Sequence, residues 1–227
     1  FAATEVQINE TETPLHRLET VYRRLVEHLG TADTASGAFR GVIDGWFYAL
    51  EQDVLADASV DASDAEGLLL RTNALMEARL GAISKTAPAF SAVLRTYRRA
   101  LAAGDGMLAD GLISWLAGQP NVAASIKRAA GIKGDLDHFG ATNFLVGLLT
   151  ILRDSGFSGL VMVLDEVETL QRMRTDTREK GLNALRQWID EIDAGRYPGL
   201  YLVIPGTPAF SDGPQGVQRL APLAPRL

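Results

Sequence analysis

The spacing of apolar residues changes twice along this chain, and each change marks a different kind of element. In "ATEVQIN" (residues 3–9) Val6 and Ile8 alternate with Glu5, Gln7 and Asn9, the period of a half-buried strand. "TETPLHRLETVYRRLVEHLG" (11–30) then turns to helical spacing, with Leu15, Leu18, Tyr22, Leu25 and Leu29 on one face. Thr13 is the predicted N-cap of that helix, Pro14 its first residue and Gly30 its stop. From about 35 to 155 the spacing stays helical. Breaks at "ADASVDASDAE" (56–66), at "TAP" before Phe90, at "GDG" (104–106) and at "GQPN" (118–121) divide the stretch into five or six helices. The last of these buries Phe144, Leu145, Leu148, Leu149 and Leu152 and stops at Gly156.

After Gly156 the pattern becomes strand, helix, strand. "GLVMVL" (159–164) is apolar at both parities, as in a central parallel strand covered on both faces. A helix over about 177–194 carries Leu182, Leu185, Trp188, Ile189 and Ile192, and "LYLVI" (200–204) is a second buried strand. Two parallel strands joined by one helix form a βαβ unit, and ligands of open α/β sheets collect beyond the carboxyl ends of the strands. The 159–164 strand is expected between the other two.

Composition adds bounds. The chain has 227 residues, 47% of them hydrophobic and 22% charged, within the range of folded globular proteins. A net charge of −6 gives no global reason to bind DNA or an anionic membrane; "RTYRR" (95–99) leaves a local DNA footprint open but reads first as a solvated helix face. There is no cysteine for a disulfide or a thiolate metal site, which fits a reducing cytosol. His16, His28 and His138 are scattered, and Trp46, Trp115 and Trp188 lie on apolar stripes and read as core.

Chemistry enters at "SGLVMVLDEVETL" (158–170), where a water-averse strand runs into Asp165, Glu166 and Glu168. Burying a carboxylate without a partner is costly, so these acids must reach solvent or meet a cation at the strand end. The arrangement resembles the Walker B element of additional-strand P-loop ATPases. That resemblance implies Asp165 as the Mg²⁺ ligand, Glu166 as the base that orients and deprotonates the attacking water, and Thr207 in "PGTPAF" as the residue that reads the γ-phosphate. Strand-end acids that merely cap the following helix are the plainer alternative. A carboxylate-cluster nuclease using Asp165, Glu166 and Glu168 is another. A third is a non-catalytic interaction module built on the helical segment. Arg172, Arg174 and Arg178 read as solvated or paired residues, with an arginine-finger role as the second option.

The wider text carries a closer resemblance. "EVQINETETPLHRLETVYRRL", "GLVMVLDEVETL", "REKGLNALRQWIDEI" and "PGLYLVIPGTPAF" resemble the ATP-binding BrxC/BrxD-like proteins of bacterial BREX phage-defence systems. This implies an α/β fold: an incomplete parallel-sheet P-loop core, AAA-like, from residues 1–34 and 156–227, with 35–155 as a helical insertion. It implies ATP and Mg²⁺ as cofactors and other defence-system proteins as partners. It also implies a cytoplasmic, membrane-free location and leaves self-association open. No G-x-x-x-x-G-K-[ST] loop occurs in the sequence. The chain is therefore expected to be a fragment with Walker B but no Walker A, binding ATP poorly by itself, with an open "LYLVI" edge that self-associates or is covered by "VQRLAPLAPRL".

Overall fold

The computed structural model describes residues 1–57, 63–208, 210 and 217. Strands β1 (Ala2–Gln7), β2 (Leu160–Asp165) and β3 (Leu200–Val203) form one parallel sheet in the order β1-β2-β3, so the expected central position of β2 holds. Six helices separate β1's own helix α1 (Leu18–Glu27) from β2: α2 (Phe39–Ala56), α3 (Ala65–Thr86), α4 (Pro88–Ala102), α5 (Gly106–Leu116), α6 (Ala124–Ala129) and α7 (His138–Asp154). Helix α8 (Thr175–Asp193) links β2 to β3.

The register fixes which side chains share a face. Ala2, Leu160 and Leu200 stand level, as do Thr4 and Met162, and Val6 and Leu164; all of these are buried. The alternate residues are not. Ala3, Glu5 and Gln7 of β1 are exposed, Val161 and Val163 are half-buried, and Tyr201 is 68% exposed. The expectation that β2 is covered on both faces is therefore corrected: among the described residues, cover lies on one face. Parallel sheets usually bury both, so the open face is unusual.

Helix α7 is the hub of the helical layer. Phe144 meets Tyr22, Phe90 and Trp115 edge-on at centroid distances of 6.0, 5.1 and 5.4 Å. Gly147, one turn on, lets the Phe90 ring approach to where a Cβ would sit 3.1 Å from it. All three tryptophans are buried, as their apolar stripes predict. The helix starts follow local chemistry: Asp64, Asp105 and Asp137 accept from the N–H groups of Gly67, Leu108 and Gly140 at 2.9, 3.0 and 2.7 Å. Such caps are each worth about 1 kcal/mol. At the far end of α7, Gly156 adopts φ +86°, and the N–H groups of Gly156 and Phe157 return to Arg153 and Leu152, closing the predicted stop as a Schellman motif.

The start of α1 differs from expectation. Thr13 caps nothing; Asn9 accepts from the N–H groups of Thr11, Glu12 and Thr13 at 3.1, 2.7 and 3.2 Å, and the helix begins only at Leu18. Gly30 also has a different role. It pairs with Ala3 through two hydrogen bonds of 3.0 and 2.7 Å along the outer edge of β1, and a Cβ there would meet the Ala35 carbonyl oxygen at 2.5 Å. The opposite sheet edge, along β3, has no strand partner among the described residues. The segment expected to cover it lies outside them except for Val217.

Candidate functional site

The carboxyl ends of all three strands meet on one side of the sheet. Gln7 stands level with Asp165, and the N–H of Ile8 donates to the Asp165 carbonyl at 2.9 Å as the last rung between β1 and β2. Asp165 falls on the open face, level with Gln7 and in line with Val161 and Val163. Its Oδ1 accepts the N–H of the next residue, Glu166, at 2.8 Å.

Glu166 itself adopts φ 56°, ψ 25°, the left-handed conformation. For an L-residue with a Cβ this costs roughly 1–2 kcal/mol, so neighbouring contacts must impose it. They are visible on both sides. The 3₁₀ turn Val167–Arg172 begins at once, with Val167 and Leu170 buried. Thr169 N–H donates to the Glu166 carbonyl at 2.9 Å, while its hydroxyl donates to the Ile8 carbonyl at 3.2 Å. Leu170 presses on α8 where Gly181 leaves room: a Cβ at 181 would lie 2.5 Å from its Cδ2. The turn is thus pinned to β1 and to α8, and Glu166 takes the strain at the joint.

The Glu166 side chain makes no cap hydrogen bond to the turn that it precedes, and it is exposed. Strand-end capping therefore falls to Asp165 through its own neighbour's N–H. Thr207 is exposed beyond β3, where its carbonyl and hydroxyl oxygens lie 2.9 and 3.3 Å from the N–H of Phe210. Because Val163 is level with Val203, the Asp165 level corresponds to residue 205, two residues before Thr207. The structure thus places Asp165, Glu166 and Thr207 at the carboxyl end of the sheet. Arg172 and Arg174 are exposed just after it.

Two positioning residues have only a faint sequence signal. Asn9, followed by "ETETP", organises the loop after β1, and Thr169, three residues after Glu166, ties that loop's strand to the acidic turn. Neither is a residue type that announces chemistry.

The donor set is uneven toward the two implied groups. Mg²⁺ keeps several waters and takes one or two carboxylates, so Asp165, with Oδ2 outside its local hydrogen bond, suits it. No group of three or more His, Asp or Glu side chains able to hold a metal exists among the described residues. The two-metal nuclease reading therefore has no site at Asp165, Glu166 and Glu168. For the triphosphate, the G-x-x-x-x-G-K-[ST] motif whose backbone N–H groups cradle phosphates does not occur in the sequence.

The family model for the BREX system ATP-binding protein BrxC/D matches residues 1–227. The chain belongs to that family. It is thereby a component of a BREX phage-defence system, with other proteins of the system as partners. No curated protein and no solved structure matches the chain. No helix among the described residues is long and apolar enough to cross a membrane.

Proposed function

We propose that the chain carries the Walker B and sensor part of a P-loop ATPase core, in which Asp165 holds Mg²⁺ through water, Glu166 activates the attacking water and Thr207 reads the γ-phosphate. The observation that carries the reading is Glu166: a carboxylate at the end of the central parallel strand, exposed, unused as a cap and mounted on a left-handed residue. Strained non-glycine residues gather at active sites because surrounding structure must hold them there. Bound Mg²⁺ and ATP would supply the reactive phosphoryl group and neutralise its charge. The chain's own residues would orient the water, take its proton and distinguish di- from triphosphate.

The sheet supports the same placement. Asp165 lies on the open face, and the outer edge of β3 has no strand partner among the described residues, the side on which the reading places a further strand and its phosphate loop. The reading requires a phosphate loop, and no G-x-x-x-x-G-K-[ST] occurs in the sequence. We assign residues 1–34 and 156–227 to the core and 35–155 to a helical insertion, in a cytoplasmic protein. The β3 edge, unpartnered among the described residues, also gives a route to self-association.

A second reading, a non-catalytic module whose acids only finish the strand, draws on the Asp165 Oδ1 bond to the Glu166 N–H. One pair of variants separates the two, assayed for ATP binding and turnover where a phosphate loop is supplied. Glu166→Gln should keep ATP binding and lose turnover by about 10²-fold or more, since the amide cannot act as a base. Asp165→Asn should weaken the dependence on Mg²⁺ as well. Unchanged turnover in Glu166→Gln removes that residue from the mechanism and favours the module.

A further inference from the structure

A cleft of about 700 Å³ opens between α3 and α4, in the helical layer and away from the strand ends. Its walls are largely apolar, with Leu69, Met76 and Ala102 among them, and Asn73 supplies a polar group. Leu69 is 50% exposed, and Leu70 beside it is 71% exposed. Large leucines left in water on a helix face mark interaction surfaces when they adjoin a concave site.

The other wall is cationic. Arg95, Arg98 and Arg99 of α4 all line the cleft, and they differ in what satisfies them. Arg95 is spent locally: its Nε donates to both carboxylate oxygens of Glu77, at 2.9 and 3.0 Å, and its Nη2 to Ser84 at 3.2 Å. Arg98 is largely buried, against the expectation of a solvated face. Its guanidinium lies 5.6 Å from the centre of the Phe47 ring, its closest carboxylate is Glu51 at 3.5 Å, and Nη1 is buried with no hydrogen-bond partner. Burial also lowers its pKa, which marks the cation as under-compensated. Arg99 is exposed, and its Nη2 donates to the Thr96 hydroxyl at 3.0 Å with no carboxylate in reach among the described residues. The cleft thus combines an apolar floor with positive charge in excess of its one acid, Glu77.

We propose that the α3–α4 cleft is a docking groove for an acidic amphipathic segment of a partner protein, an apolar side chain entering beside Leu69 and Met76 while a carboxylate meets Arg99 over Arg98. The chemistry favours this occupant over nucleic acid. A phosphate backbone draws its affinity from several free cations along its track, whereas here Arg95 is already paired and the exposed leucines would gain nothing from phosphates. An amphipathic segment uses both halves of the site, in the manner of helix-in-groove recognition. The inference is independent of the ATPase reading, because none of these residues touches the strand-end site.

The test uses random 16-residue peptides displayed on yeast and selected against the intact protein, with a counter-selection on Arg99→Glu. Both Arg99 and Leu69 are exposed, so Arg99→Glu and Leu69→Glu should keep the fold, checked by an unchanged melting temperature. Selected peptides should carry Asp or Glu near Leu, Ile, Phe or Trp. Synthetic versions should bind Arg99→Glu and Leu69→Glu roughly tenfold or more weakly and bind Glu166→Gln as they bind the unaltered protein. Enrichment of basic or purely apolar peptides, or peptides indifferent to Arg99→Glu, would overturn the proposal. So would failure to enrich any peptide, or a 16-nucleotide single-stranded DNA whose binding depends on Arg99 and not on Leu69.

Discussion

Replacing Glu166 by glycine should make the protein more stable while abolishing the turnover assigned to it. The left-handed conformation at φ 56° costs an L-residue roughly 1–2 kcal/mol, and glycine adopts it freely. Glycine gives back about 0.4–1 kcal/mol through the larger entropy of the unfolded chain. The carboxylate makes no cap bond and is exposed, so its removal subtracts little else. The net expectation is a gain of about 0.5–1 kcal/mol, which for a chain of this size raises Tm by roughly 1–4 °C. Differential scanning calorimetry on Glu166→Gly, with Glu166→Ala as control, measures it. The alanine variant keeps the Cβ and should show no gain. A lower Tm for Glu166→Gly would mean that the carboxylate stabilises the fold or that the residue is not left-handed, and either result ends the argument that strain is stored here for function.

Two further outcomes rest on single residues elsewhere. Asp154 accepts from the indole N–H of the buried Trp46 and from Arg79, both at 2.6 Å, tying α7 to α2 and α3; Asp154→Ala leaves the Trp46 N–H unpaired, while the half-exposed Arg79 keeps Asp53 at 3.4 Å, and should cost roughly 1–3 kcal/mol, with Asp154→Asn milder. A loss of under about 0.5 kcal/mol in urea unfolding would show the network to be incidental. His16 has its pKa pushed below 6.5, first by burial, then by Lys180, Arg17 and His138, with Glu19 opposing. The unfolded chain then binds the proton more readily, so His16's share of stability is complete above pH 6.5 and declines as pH falls below it. His16→Gln should flatten the loss of stability between pH 8 and pH 5, and an unchanged slope would refute it.

What the sequence made legible follows from which forces act locally. The positions of the strands and the stop at Gly156 depend on near neighbours, and they stand as read. Where two local signals compete, the text alone does not rank them. Thr13-Pro14 is sound N-cap chemistry, but Asn9 gathers the N–H groups of Thr11, Glu12 and Thr13 into a loop, and the helix start moved to Leu18. "RTYRR" has the composition of a solvated face, yet its middle arginine follows the helix inward onto Phe47, which only the packing of α2 against α4 decides.

At the candidate site the residue types were legible and the backbone was not. An apolar strand ending in Asp-Glu stands out in the text, whereas a left-handed glutamate does not, because glutamate carries no preference for that conformation. The strain comes from Thr169 holding Ile8 and from Leu170 seated at Gly181, contacts that span 161 and 11 positions respectively. The residual mismatch is at β2. Val161 and Val163 have the character of a strand buried on both faces, yet they are half-buried beside the exposed Ala3, Glu5 and Tyr201. A sequence suited to two covers, on a sheet that the described residues cover on one face, fits a second layer over the face that carries Asp165. A phosphate-loop helix lying there would bury the valines and complete the nucleotide site in the same step.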